Sequence, residues 1–224
     1  MLSIGRIWQG VRREGFGATL WRLWTRFFGT DEWCVFVREV RAVASGSPSV
    51  EINGVVVRDM TEADLPVVAR HMPVELGFRS TAERVEALRR CLPDGVVGLR
   101  DDQLIGAAWF ADAVAPDQEW WRAVSPHIEG DARLARGIFV VAGEKQATWA
   151  LVKQANGRLA DRGVRWVVSV IRASNRPSIL VNRMLGGRMV AHKVDRYRWG
   201  KCETRIEPAE DNAGLDRRAL RNSD

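Results

Sequence analysis

Three cysteines, three histidines and a single tyrosine, Tyr197, are spread over 224 residues, and each scarcity removes a class of function. Cys34, Cys91 and Cys202 lie far apart and share no metal-ligand spacing, so no metal centre is expected, and reduced thiols in a cytoplasmic protein are the simplest reading. No stretch reaches the roughly 18 uninterrupted apolar residues that a membrane-spanning helix requires. Met1 to Arg13 has no apolar core flanked by a small-residue cleavage site, so no secretory signal is expected. Internal repeats and low-complexity tracts are missing as well. No zinc-finger or RNA-binding signature accompanies the net charge of +6. That charge is read as suiting an anionic small ligand, with no nucleic-acid partner expected.

What is present is the composition of a folded protein: 46% apolar and 28% charged residues rule out an extended disordered chain. Three parts are expected. Residues 1–49 form a basic, aromatic extension, with a helical period over Ala18–Phe28 and a strand over Trp33–Val43. Residues 50–202 have the density of a compact domain, and 203–224 read as a polar, frayed tail. Within the domain, Val55–Arg58 reads as a strand. Ser80 with Glu83 three residues on is a capping-box start. Val96–Arg100 and Gln103–Phe110 read as a hairpin about Asp101-Asp102, and the Pro116–Arg122 insertion as a turn or two of helix.

The most informative stretch runs from Gly137 to Gly187. A strand, Gly137–Val141, enters a turn, Ala142–Thr148, followed by a helix over Trp149–Arg162 and a strand over Val164–Ile171. Ala173-Ser-Asn-Arg-Pro-Ser178 then opens a helix that ends at Leu185-Gly186-Gly187. A strand feeding a helix N-terminus makes an anion site from free backbone N–H groups and the helix dipole.

In order and spacing, Val164–Val170, Asn175, Ser178 and Leu185-Gly186, with Val57-Arg58-Asp59 and Asp64-Leu65 at the domain's start, resemble the GNAT superfamily of acyl-CoA-dependent N-acyltransferases. The resemblance covers Val55 to Trp199. It implies an α/β fold: a mixed, mostly antiparallel sheet with splayed central parallel strands flanked by helices, here with an N-terminal helical extension. It also implies acetyl-CoA or another acyl-CoA as co-substrate and the amine of a small molecule as acceptor. The coenzyme would be held by Phe139, Val140 and Val141, by Lys145, Gln146, Ala147, Thr148, Trp149 and Ala150, and by Asn175 and Ser178. Thr148 stands where the family's phosphate loop has glycine, which leaves open an altered loop geometry or no coenzyme at all.

Acyl transfer to an amine needs a neutral amine, a polarised thioester carbonyl and a proton for the leaving thiolate. Asn182 holds the position where the family often has its tyrosine acid, so Tyr197 is the remaining candidate acid. Glu129 and Asp131 are candidate bases, with His127 and His192 as alternatives. Glu75, Phe78 and Trp121 are candidates for the acceptor pocket, where they would hold a cationic or amphipathic amine. No metal ligand is assigned. Residues 8–28 suit a helix docked on its own domain, on a second copy, or peripherally on the inner face of a membrane. The rival reading of the whole chain is a non-catalytic GNAT-like binding or scaffolding module.

Overall fold

The computed structural model describes residues 29–40, 49–52, 54–72, 80–112, 119–141, 144–199 and 201–209. The expected extension helix over 8–28 and the candidate acceptor residues Glu75 and Phe78 lie outside them. Nine strands are described: β1 Thr30–Glu39, β2 Ser49–Ile52, β3 Val55–Asp59, β4 Val96–Arg100, β5 Gln103–Asp112, β6 Ala132–Val140, β7 Trp166–Arg172, β8 Arg188–Arg198 and β9 Lys201–Pro208. The helices are α1 Leu65–His71, α2 Thr81–Arg89, α3 Glu119–Val124, α4 Lys145–Asp161 and α5 Arg176–Met184. None of them is long and apolar enough to cross a membrane.

The strands form one sheet in the order β2-β3-β4-β5-β6-β7-β1-β8-β9. Every neighbouring pair is antiparallel except β6 and β7. Alternation of side chains across the strands assigns the helices to two faces. Val35 and Val37 of β1 pack with Trp120 and Val124 of α3, whereas Cys34 and Phe36 pack with Ile179 of α5. Likewise Val97, Ala107 and Trp109 meet α1 and α2, while Val96, Ile105 and Ala108 meet Ala147, Leu151 and Leu159 of α4. Thus α1, α2 and α3 cover a front face, and α4 and α5 a back face.

Two boundaries differ from the sequence reading. β1 does not belong to an extension: it lies inside the sheet between β7 and β8. Its Cys34-Val-Phe-Val37 run is buried on both faces, as a central strand requires. Residues 203–208 are not tail but most of β9, an edge strand. Its charged, exposed pattern suits an edge and, without its partner, resembles a solvated tail. The short-range expectations hold. Ser80 caps α2 by accepting from Glu83 N at 3.2 Å. Asp101 and Asp102, at φ 49° and 60°, make the tight β4–β5 turn.

One glycine fixes the centre of the front face. Trp109 is only 2% exposed, and its ring lies directly against Gly137 of β6, where a Cβ would penetrate the ring. Gly137→Ala must displace a buried indole, and overpacking of that kind costs about 1–3 kcal/mol. Urea denaturation should show the lowered midpoint; an unchanged midpoint would mean that Trp109 does not pack as described.

Candidate functional site

The site begins where the two parallel strands part. β6 and β7 pair only from Ala132 with Trp166 to Ala135 with Ser169. Beyond that, β7 stays with β1 through Val170 to Arg172, and β6 stays with β5 through Gly137 to Val140. The cause is a bulge: Trp109 faces Gly137 and Phe110 faces Ala135, so Arg136 is an extra residue with no partner. A bulge bends its strand and re-aims side chains.

The parting leaves backbone groups without a neighbouring strand. Val141 N donates to Ile105 O at 2.8 Å, so alternation directs the amides of Gly137 and Phe139 toward β5 as well. The N–H and C=O groups of Ile138 and Val140 then face the cleft between β6 and β7. Both helices that follow these strands start at the same, open end of the cleft. α4 begins four residues after Val141, with Glu144 N donating to Val141 O at 3.0 Å and Ala147 N to Glu144 O at 2.9 Å. Arg100 neutralises the Glu144 carboxylate at 2.7 Å, so the helix start keeps the positive end of its dipole. α5 is capped by Asn175, whose Oδ1 accepts from Ser178 N at 3.3 Å. The turn before it is tied to β1 by Ala173 N donating to Glu32 O at 2.8 Å.

On the front face, a groove of about 620 Å³ runs past the same cleft. Trp33, Trp109 and Trp120 wall it, Leu134 to Arg136 and Val170 bring it to the parting strands, and Lys193 lies further along. Arg172 and Lys193 stand over the Trp33 ring, at 5.2 and 5.7 Å from its centroid. Asp195 pairs with Lys193 and accepts from Thr204 Oγ1 at 2.7 Å. Burial pushes the Cys91 thiol of the groove above its ordinary value, with Arg136 pulling the other way. Among the described residues, no hydrogen bond or ion pair reaches Arg136.

The residues named from the sequence separate into those this geometry gathers and those it does not. Phe139, Val140 and Val141 lie at the open end of β6. Lys145, Gln146, Ala147 and Thr148 form the first turn of α4 instead of a loop, because the stretch has no glycine to break the helix, and Trp149 and Ala150 lie in the turn after it. Ala147 and Ala150 are buried in the core. Asn175 and Ser178 form the cap described above.

The candidate acid and bases are placed elsewhere. Glu129 and Asp131 are exposed at the closed end, where Asp131 O accepts from Arg165 N at 2.9 Å and Trp166 N at 3.1 Å. Five residues of strand put Asp131 roughly 16 Å from the bulge. Tyr197 faces Cys202 near the β8–β9 turn. It is two strands from β7 and six residues beyond the level of Val170, roughly 20 Å away. Burial, then the Cys202 thiol, holds its phenol above the ordinary value, but it lies too far from the cleft to protonate a thiolate there. His127 instead meets Arg188 at 3.3 Å, and Asn182 Nδ2 donates to Ser178 O at 3.1 Å. Trp121 packs edge-on against Trp120 outside the groove lining, and Glu75 and Phe78 lie outside the described residues.

Sequence reasoning missed Trp33, Arg136 and Lys193. Trp33 and Lys193 are neighbours only because β1 pairs with β8, and Arg136 stands out only once the bulge is seen.

No family model and no curated protein matches this chain. Solved structures do. A GCN5-related N-acetyltransferase from Sphaerobacter thermophilus superposes with TM-score 0.52 at 16% identity, covering 87% of this chain and 58% of its own. A Drosophila protein superposes with TM-score 0.51 at 14% identity, covering 81% of this chain and 56% of its own. The chain therefore spans less than two thirds of either protein. At such identities the likeness is one of fold. With its mostly antiparallel sheet, one parted parallel pair and flanking helices, the chain has the fold of the GCN5-related N-acetyltransferases.

Proposed function

We propose that the chain is an N-acyltransferase that moves an acetyl or longer acyl group from acyl-CoA to the amine of a small molecule. One observation carries the reading. The only parallel pair among the described strands parts, so that unpaired amides of Ile138 and Val140, the start of α4 and the start of α5 converge on one cleft. A peptide-like pantetheine arm matches such a strand edge, and a diphosphate matches a helix N-terminus. The Sphaerobacter structure with this fold is an N-acetyltransferase, which supports the same reading.

The transfer forms a C–N bond between the amine and the acyl carbon and breaks the C–S bond of the thioester. The proton lost by the amine is matched by the one gained by the CoA sulphur. Val140 N–H is placed to donate to the thioester oxygen as negative charge develops on it. Among the described residues, no carboxylate or tyrosine lines the groove.

Calorimetric titration with acetyl-CoA tests the reading. Lys145→Glu exchanges a cation for an anion at the first position of α4. It should weaken binding about tenfold without unfolding the helix, because an acidic first turn suits the dipole. Unchanged affinity would place the phosphates elsewhere. No heat at millimolar acetyl-CoA for the unaltered chain would favour the binding-module reading.

A further inference from the structure

The acyl-transfer reading, on which this inference rests, leaves the acceptor unnamed, but the groove narrows its class. We propose that the acceptor carries a carboxylate beside its amine and an aromatic body, as aromatic amino acids do, and that Arg136 is the residue that selects the carboxylate.

Charge in the groove argues first. The described residues that line it include two cations, Arg136 and Lys193, and no carboxylate. Lys193 is matched by Asp195, and Trp33 already has Arg172 and Lys193 over its ring. Among the described residues of the groove, a cationic amine would therefore find neither an unused carboxylate nor an open Trp33 face. Arg136 is the lining cation for which no partner is described. A guanidinium without an anion is matched by a planar carboxylate, which it can bind through two parallel hydrogen bonds.

Position argues second. Arg136 is the extra residue of the bulge at the point where β6 leaves β7. A carboxylate held there keeps an adjacent amine within a few bonds of the cleft where the thioester would lie. Ala135 faces the α4 core on the back, so alternation turns Arg136 to the front face. The bulge keeps Gly137 on that face as well, so that Arg136 and Gly137 lie together beside the groove and Trp109. Shape argues third: Trp109 on β5 and Trp120, whose helix packs on β1, give the groove apolar aromatic walls suited to an aromatic body.

The test uses the full chain and matched ligands. N-acetyl-L-tryptophan, the product of such a reaction, and its carboxamide are titrated by calorimetry without coenzyme. The acid should bind at least about tenfold more tightly than the amide. Arg136→Gln should erase that difference while leaving the amide's affinity and the acetyl-CoA affinity unchanged, and Arg136→Lys should restore part of it. With acetyl-CoA present, L-tryptophan should be acetylated with at least about tenfold higher kcat/KM than tryptamine. Equal binding of acid and amide, equal loss of both in Arg136→Gln, or absence of binding by either at millimolar concentration would overturn the proposal. Acetyl-CoA binding with a preference for tryptamine would overturn the acceptor class and leave acyl transfer standing. Preference for the acid without any acetyl-CoA binding would instead remove acyl transfer.

Discussion

Val140→Pro is expected to lower the rate of acyl transfer by about 10²–10³-fold with little change in folding. The reason lies in the direction of one N–H. Val141 donates to β5, so the Val140 amide points the other way, into the cleft, where no strand accepts it. Proline removes a hydrogen there without breaking a ladder bond, the circumstance in which a sheet edge tolerates it. A single donor to a developing oxyanion is worth about 2.7–4 kcal/mol, which sets the size of the loss. CoA thiol release from acetyl-CoA with L-tryptophan as acceptor measures the rate, and a thermal melt checks the fold. An unchanged rate in a folded variant would remove the Val140 amide from the chemistry. Should L-tryptophan prove inert, acetyl-CoA titration reads the same substitution as weakened binding.

Asp94→Ala is expected to destabilise the chain by about 3 kcal/mol. Asp94 is 9% exposed in the turn after α2. Its Oδ2 accepts from Arg133 Nε at 2.8 Å, and its Oδ1 accepts from Arg162 Nη1 at 3.0 Å. One carboxylate thus joins the end of α2, the start of β6 and the residue that ends α4. Removing one partner of a buried pair strands the other charge, which costs about 3–5 kcal/mol. The lower end applies because Arg162 is half-exposed and Arg133 keeps Asp112 at 3.2 Å. In a chain of this size the melting midpoint should fall by roughly 6–12 °C. Asp94→Asn keeps an acceptor oxygen and should lose less. A fall below about 2 °C for the alanine variant would mean that the network is only a surface ion pair.

Much of the fold was legible because its signals are local. The Asn175–Ser178 cap, the Ser80–Glu83 cap and the Asp101-Asp102 turn each lie within a few residues, where a side chain meets its own backbone. The order strand–helix–strand–helix from β6 to α5 was read the same way. What the sequence did not show is pairing between distant segments. Nothing in Thr30–Glu39 says that it enters between β7 and β8, and nothing in Lys201–Pro208 says that β8 will accept it as an edge.

The site was legible in part for the same reason. Phe139 to Val141 lie at the end of a strand that can be seen in the sequence, and Asn175 follows another, so their places in the fold could be read. Glu129 and Asp131 were drawn in by nearness to β6, but nearness along the chain does not say which end of a parallel pair opens. Tyr197 was chosen because it is the sole phenol, and chemical type does not place a group in space. Arg136 was missed because a one-residue bulge leaves no mark in the pattern until its partner strand is known.

A crystal structure of the chain with acetyl-CoA reports most directly on whether the parted strands hold a coenzyme. The pantetheine arm should lie in the cleft along β6, the diphosphate should sit over the first turn of α4, and the thioester oxygen should accept from Val140 N–H. Acetyl-CoA bound on another surface, or an empty cleft at millimolar coenzyme, would contradict the proposed function.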